Sequence, residues 1–129
     1  TIMRRMMYRL ASRLAMNRNC PVIANGESVG QVASQTLQSM RVINEVTTTP
    51  VIRPCAVMDK TEIIKVSKKI GTYDISIRPF EDCCTIFTPK NPKTAPNIDE
   101  VHEFETKFDY EALIKDALAN IEVKFIKEE

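Results

Sequence analysis

The segment Val22-Ile23-Ala24-Asn25-Gly26-Glu27-Ser28-Val29-Gly30 runs directly into Gln31–Ile43. It reads as a short buried strand, a glycine turn and a helix whose first turn carries small polar residues and amides. A strand that passes so quickly into a helix commits this region to a βα unit, the repeating element of open parallel sheets. Ligands of such sheets lie beyond the C-terminal strand ends, where helix N-termini offer unpaired backbone N–H groups. Gly26 would let the backbone approach a ligand there with no side chain in between. The turn is therefore a candidate nucleotide site. The competing explanation is an ordinary β–α turn that needs glycine for geometry alone. The spacing matches neither G-x-G-x-x-G nor a Walker loop, and three glycines in the whole chain cannot wrap a triphosphate.

The flanking sequence supports the same class. Met3, Met6, Met7, Leu10, Ala11, Leu14 and Ala15 form a helical apolar stripe, with Arg5, Arg9 and Arg13 on the opposite face. Pro21 introduces the strand Val22–Asn25. A second helix is expected over about Gln31–Asn44, burying Ala33, Leu37, Met40 and Ile43, with Gln31, Gln35 and Gln38 on another face. Val51-Ile52-Arg53 reads as a second buried strand ended by Pro54. Asp59 and Glu62 have capping-box spacing and open a helix burying Ile63, Val66 and Ile70, which Gly71 stops. Tyr73–Asn97 holds four prolines and no clean period, which suits an ordered loop or a short helix with extended chain. A polar helix follows from Asp99 to Lys107. Asp109 caps a last helix that buries Leu113, Ile114, Ala117, Leu118 and Ile121, with Phe108 and Leu113 as a staple. Val123 and Phe125 suit a closing strand. The alternation predicts an α/β domain whose parallel sheet is covered on both faces. With two strands before residue 71, further strands are expected N-terminal to Thr1.

At 129 residues the chain fits one domain, and its net charge of +1 argues against a wholly basic nucleic-acid binder. The charge is unevenly placed. Residues 1–18 carry Arg4, Arg5, Arg9, Arg13 and Arg18 without an acid, while residues 99–129 are dominated by Asp and Glu. This asymmetry suits either an anionic partner near the N-terminal helix or a solvated helix face. No apolar run is long enough to cross a bilayer, and no signal-peptide pattern is seen. Four cysteines without a secreted framework fit a reducing cytoplasm. The opening Thr-Ile-Met-Arg-Arg lies inside a helical pattern, as in a piece of a longer protein.

Glu81-Asp82-Cys83-Cys84 is the second candidate site. Two adjacent carboxylates raise rather than lower a thiol pKa, which disfavours general nucleophilic catalysis at neutral pH. Sulfur-relay chemistry asks more for access and a flexible loop than for a strong base. Two buried structural thiols, or a strained vicinal disulfide, remain open on these residues alone. A metal site is not indicated: His102 is the single histidine, it lies in a polar segment, and the cysteine spacings match no zinc knuckle.

Arg4-Arg5-Met6-Met7, the block Gly26–Leu37, Arg53-Pro54, Asp59-Lys60 with Glu62-Ile63-Ile64, Ile70-Gly71-Thr72 and Glu81-Asp82-Cys83 occur in one order. Together they closely resemble the tRNA 4-thiouridine synthases, sulfurtransferases also required for the thiazole of thiamine. The resemblance covers nearly the whole chain. It implies a Rossmann-like, three-layer domain of the adenine-nucleotide alpha-hydrolase type with a parallel sheet, present in part. Residues 1–129 would be the C-terminal portion of a single pyrophosphatase-loop ATP-binding domain. Such enzymes adenylate a tRNA uridine with ATP, and a cysteine persulfide sulfur then displaces the adenylate to leave 4-thiouridine. Carried over, Arg4, Gly26 and Gln35 match ATP-contacting positions, and Cys83 matches the catalytic cysteine; Cys84 takes no role.

The signature Ser-Gly-Gly-x-Asp-Ser and the tRNA-docking domains are absent from this sequence, so the segment should not turn over alone. The resemblance also implies ATP with magnesium as counter-ion, tRNA and a cysteine desulfurase as partners, and a cytoplasmic location without membrane attachment. An exposed sheet edge would make a homodimer plausible. The alternative is a non-catalytic RNA- or protein-binding module using the basic helix 4–18.

Overall fold

The computed structural model describes residues 1–80 and 93–127. In chain order these form α1 (Ile2–Asn17), β1 (Ile23–Ala24), a 3-10 turn (Ala33–Gln35), α2 (Leu37–Asn44), β2 (Val51–Ile52), α3 (Lys60–Lys69), α4 (Tyr73–Ser76), α5 (Ile98–Glu105) and α6 (Tyr110–Ala119). The two strands pair in parallel, Ile23 opposite Val51 and Ala24 opposite Ile52. With α2 between them they make the expected βαβ unit. Asn25 and Arg53 leave the sheet side by side at its C-terminal end, where ligands of such sheets bind. No described helix is long and apolar enough to cross a membrane.

Helix α1 is the hub, packing on α2, α6 and β1. Its buried positions are Arg5, Tyr8, Ser12 and Ala15. The methionine stripe faces sideways instead: Met3 and Met7 remain two-fifths exposed, above an apolar groove shared with Leu113 and Ala117. The expected solvated face is thus partly the core face. Arg5 is 1% exposed because carboxylates meet it there. The rest of the core is Val42 and Ile43 of α2, Val101 of α5 and Ile114 of α6. The helix ends on Asn19, whose φ of 54° is a left-handed stop that asparagine tolerates, with the Cys20 N–H donating to the Ala15 carbonyl at 2.8 Å.

The single second helix expected over Gln31–Asn44 is two pieces. Gly30 has φ 82° and Val32 is extended, so the chain turns once as a 3-10 segment before helix α2 starts. Thr36 breaks the two apart by capping α2, its hydroxyl oxygen accepting from the Ser39 N–H at 3.1 Å. Leu37 therefore lies on an exposed first turn at 67% exposure. Both strands are also less buried than expected, since Ala24 and Ile52 are exposed and the described residues leave those positions uncovered.

Helix α3 opens on the expected box, the Asp59 carboxylate accepting from Glu62 N–H while the Glu62 carboxylate accepts from Asp59 N–H. Gly71, at φ 75°, ends it. Val66 and Ile70 are exposed, so this helix contributes little core among the described residues. Asp109 caps α6 as expected, yet Leu113 and Ile121 are also exposed. Residues 121–127 form no strand.

Candidate nucleotide site

Beyond β1 the chain makes a tied loop. The Asn25 side-chain oxygen accepts from the Glu27 N–H at 3.1 Å, turning the backbone at Gly26. The Ser28 N–H donates to Gln35 Oε1 at 3.3 Å, and the Gly30 N–H to the Gln35 carbonyl at 2.9 Å. On the β2 side, the Ser28 hydroxyl donates to the Met58 carbonyl at 2.6 Å and the Val29 N–H to that of Ala56 at 3.0 Å. Both ends of the parallel pair therefore hold the loop. Gly26 is exposed, its φ is not in the left-handed region, and a Cβ there would meet nothing within 4 Å. Neither backbone strain nor internal crowding demands this glycine. The space beside it is open.

Glu27 holds the site together from below at 3% exposure. Its Oε2 accepts from Tyr8 Oη and Arg53 Nε, both at 2.8 Å, and from Asn25 Nδ2 at 3.1 Å. Its Oε1 accepts from Arg4. Arg53 reaches on to the Asn44 side-chain oxygen at 2.8 Å and Tyr8 Oη at 3.0 Å. Burial by itself would push the Glu27 carboxyl up, but Arg53, Tyr8 and Arg4 donate to it and hold it below the ordinary carboxylate value. Burial, then the Glu27 charge, raises the Tyr8 phenol, so it stays a donor. Two guanidinium groups around one carboxylate leave one net positive charge beside the open glycine. These groups can bind and orient an anionic ligand; Glu27, ionised and fully engaged, is no general base.

Gly26 and Gln35 thus lie on one tied loop, and Arg4 reaches it from α1 through Glu27. Gln35 is also one of the ties that shape it. Cys83 and Cys84 lie outside the described residues, while Cys20 and Cys55 carry free thiols. Glu27 and Tyr8 are what sequence reasoning missed. A glutamate in a glycine turn looks solvated, and its partners come from positions 4, 8 and 53. Among the described residues no group of three or more His, Cys, Asp or Glu could hold a metal ion.

The arginine face of α1 is committed elsewhere. Arg5 and Arg9 both grip Glu105, with Arg5 Nε at 2.8 Å and Arg9 Nη2 at 2.8 Å. Arg5 also pairs with Glu45 at 2.7 Å, and Arg13 bonds Glu111 at 2.8 and 2.9 Å. His102 stands exposed beside Glu45 at 3.0 Å. A cleft of about 670 Å³ opens over these groups, but its arginines face carboxylates. The asymmetry between the N-terminal and C-terminal charge is intramolecular. It offers an anionic partner little.

Comparison with known proteins gives the family of the chain. The family model described as "Thiamine biosynthesis protein (ThiI)" matches residues 1–110. The chain belongs to this family. It is 62% identical over 123 residues to a probable tRNA sulfurtransferase of Lactobacillus helveticus, covering 95% of this chain and 30% of that protein. Among solved structures it is similar to a 4-thiouridine synthetase in complex with RNA and bound ATP, with a TM-score of 0.82 and 44% identity. That match covers 92% of this chain and 31% of the other. The chain therefore spans about a third of the length of these ThiI-family relatives. The α/β fold with its parallel pair agrees with the structural match.

Proposed function

We propose that this chain is the C-terminal portion of the pyrophosphatase-loop domain of an ATP-dependent tRNA sulfurtransferase that makes 4-thiouridine. The observation that carries the reading is the tied loop at the C-terminal end of the parallel pair, open at Gly26 and flanked by Arg4 and Gln35. The ATP-bound 4-thiouridine synthetase among the similar structures supports ATP as the occupant. Here the adenosine end of ATP rests on the Gly26 backbone, with Arg4 and Gln35 as polar contacts. The phosphate-gripping half belongs to sequence outside this chain, and magnesium arrives with the phosphates as their counter-ion.

In this scheme a uridine oxygen takes the adenylyl group and pyrophosphate leaves. A persulfide sulfur then attacks the activated carbon and AMP leaves. A second thiol attacks the protein-side sulfur of the resulting disulfide, which releases 4-thiouridine and leaves a disulfide for an external dithiol to reduce. Cys83 is the thiol that handles that sulfur, received from a cysteine desulfurase, and the same sulfur supply serves the thiamine thiazole. The work is cytoplasmic, with tRNA as the partner, and self-association through the sheet edge is compatible with it. The test is Cys83→Ala in the full-length protein. Bulk tRNA should lose its 4-thiouridine while adenylation stays detectable; normal thiolation would remove Cys83 from the mechanism.

A further inference from the structure

We propose that Glu27 is a positioning residue of this site: it fixes the Arg4 guanidinium beside the Asn25–Glu27 turn, so affinity for a nucleoside triphosphate depends on a buried carboxylate that touches no ligand. The inference rests on Arg4 being a nucleotide contact.

Geometry divides the labour between the two oxygens. Three donors fix Oε2: Tyr8 Oη from α1, Arg53 Nε from the end of β2, and Asn25 Nδ2 from the loop itself. With that oxygen held by three separate elements, the carboxylate plane cannot turn, and Oε1 presents one fixed acceptor to Arg4. Arg4 has little else to orient it. Its Nε is buried with no hydrogen-bond partner among the described residues, and its other contact is the weakly accepting Met7 sulfur at 3.9 Å. A guanidinium on a long, rotamer-rich stem gains most when a rigid partner pre-orients it before the ligand arrives. The arginine lines a cleft of about 150 Å³ with Ile23, Ala24 and Asn25, so its held position adjoins the turn on which the nucleotide would rest. Tyr8 and Arg53 thereby act on the same contact at one remove.

The experiment is calorimetric titration of ATP into the purified full-length protein and its Arg4→Ala, Glu27→Gln and doubly substituted forms. Arg4→Ala and Glu27→Gln should each raise the Kd roughly 10-fold, the scale of one charged hydrogen bond. The double variant should bind no more weakly than Arg4→Ala alone. That non-additivity is the signature of action through Arg4, since a general loosening of the fold would add to the loss. Should Glu27→Gln fail to fold, Glu27→Asp carries the test. It keeps a charge for Tyr8 and Arg53 but is a methylene short of Arg4, and it should weaken ATP in the same way. An unchanged Kd in the Glu27 variants, or a further loss in the double variant, overturns the proposal. An unchanged Kd in Arg4→Ala fails separately, by removing the nucleotide contact itself.

Discussion

Replacing Glu105 by Gln should cost about 3 kcal/mol of stability at pH 7, and the pH dependence of that cost identifies its origin. Glu105 is 6% exposed and accepts from two guanidinium groups, those of Arg5 and Arg9. Burial opposes its ionisation, yet the bonds from Arg9 and Arg5 win, lowering its carboxyl from 4.5 to about 2. At about 1.4 kcal/mol per tenfold change in protonation equilibrium, the ionised folded form gains roughly 3 kcal/mol. The loss expected on breaking a buried pair is of the same order. Because the folded value is the lower one, this stability is present above pH 4.5 and is lost as pH falls toward 2. Urea unfolding of the wild type and Glu105→Gln should therefore show a gap that is full at pH 7 and has mostly closed by pH 2.5. The other depressed buried carboxyl, Glu27, shares no partner with Glu105, so it titrates in both proteins and cancels in the difference. A gap below 1 kcal/mol at pH 7, or one that does not change with pH, would refute the electrostatic account.

Two further outcomes test the site and the core. Gly26→Ala should leave the thermal midpoint nearly unchanged, since its Cβ would meet nothing in the chain, while weakening ATP in the full-length protein; a large drop in the midpoint would return this glycine to a backbone role. Ile43→Ala, at a side chain 1% exposed, should cost about 2–5 kcal/mol in urea unfolding, and a cost near zero would mean that α2 does not carry the core.

Local chemistry is what the sequence made legible. The Asp59–Glu62 box, the Gly71 stop and the Asp109 cap depend on neighbours within a few positions, and all three formed. Parallel pairing also followed, because a βαβ unit leaves few alternatives. The break inside the second helix did not follow. Periodicity runs smoothly through Gln31–Asn44, whereas Thr36 as a cap outweighs it. The burial of Arg5 and Glu27 was hidden for a different reason. Charge periodicity shows that arginines share a face, but Glu105 lies 100 positions from Arg5 and only folding brings them together. Arg4, Gly26 and Gln35 came through the family resemblance, and the structure adds the Gly26–Gln35 loop and the Glu27 carboxylate that links Arg4 to it.

The neighbouring arginines Arg4 and Arg5 leave α1 in different directions, one to the β1 loop and the other to α5. Each residue along a helix turns the side-chain direction by about 100°, so sliding this helix by one position would unseat both ion pairs at once. Its azimuth is keyed by charge as well as by the buried Tyr8 and Ala15. That leaves the methionine flank, with its pliable and poorly directional side chains, free of any duty to define register. Substitutions among Met3, Met6 and Met7 can then drift without turning the helix, while the nucleotide end and the acid-bearing helices keep their alignment through it.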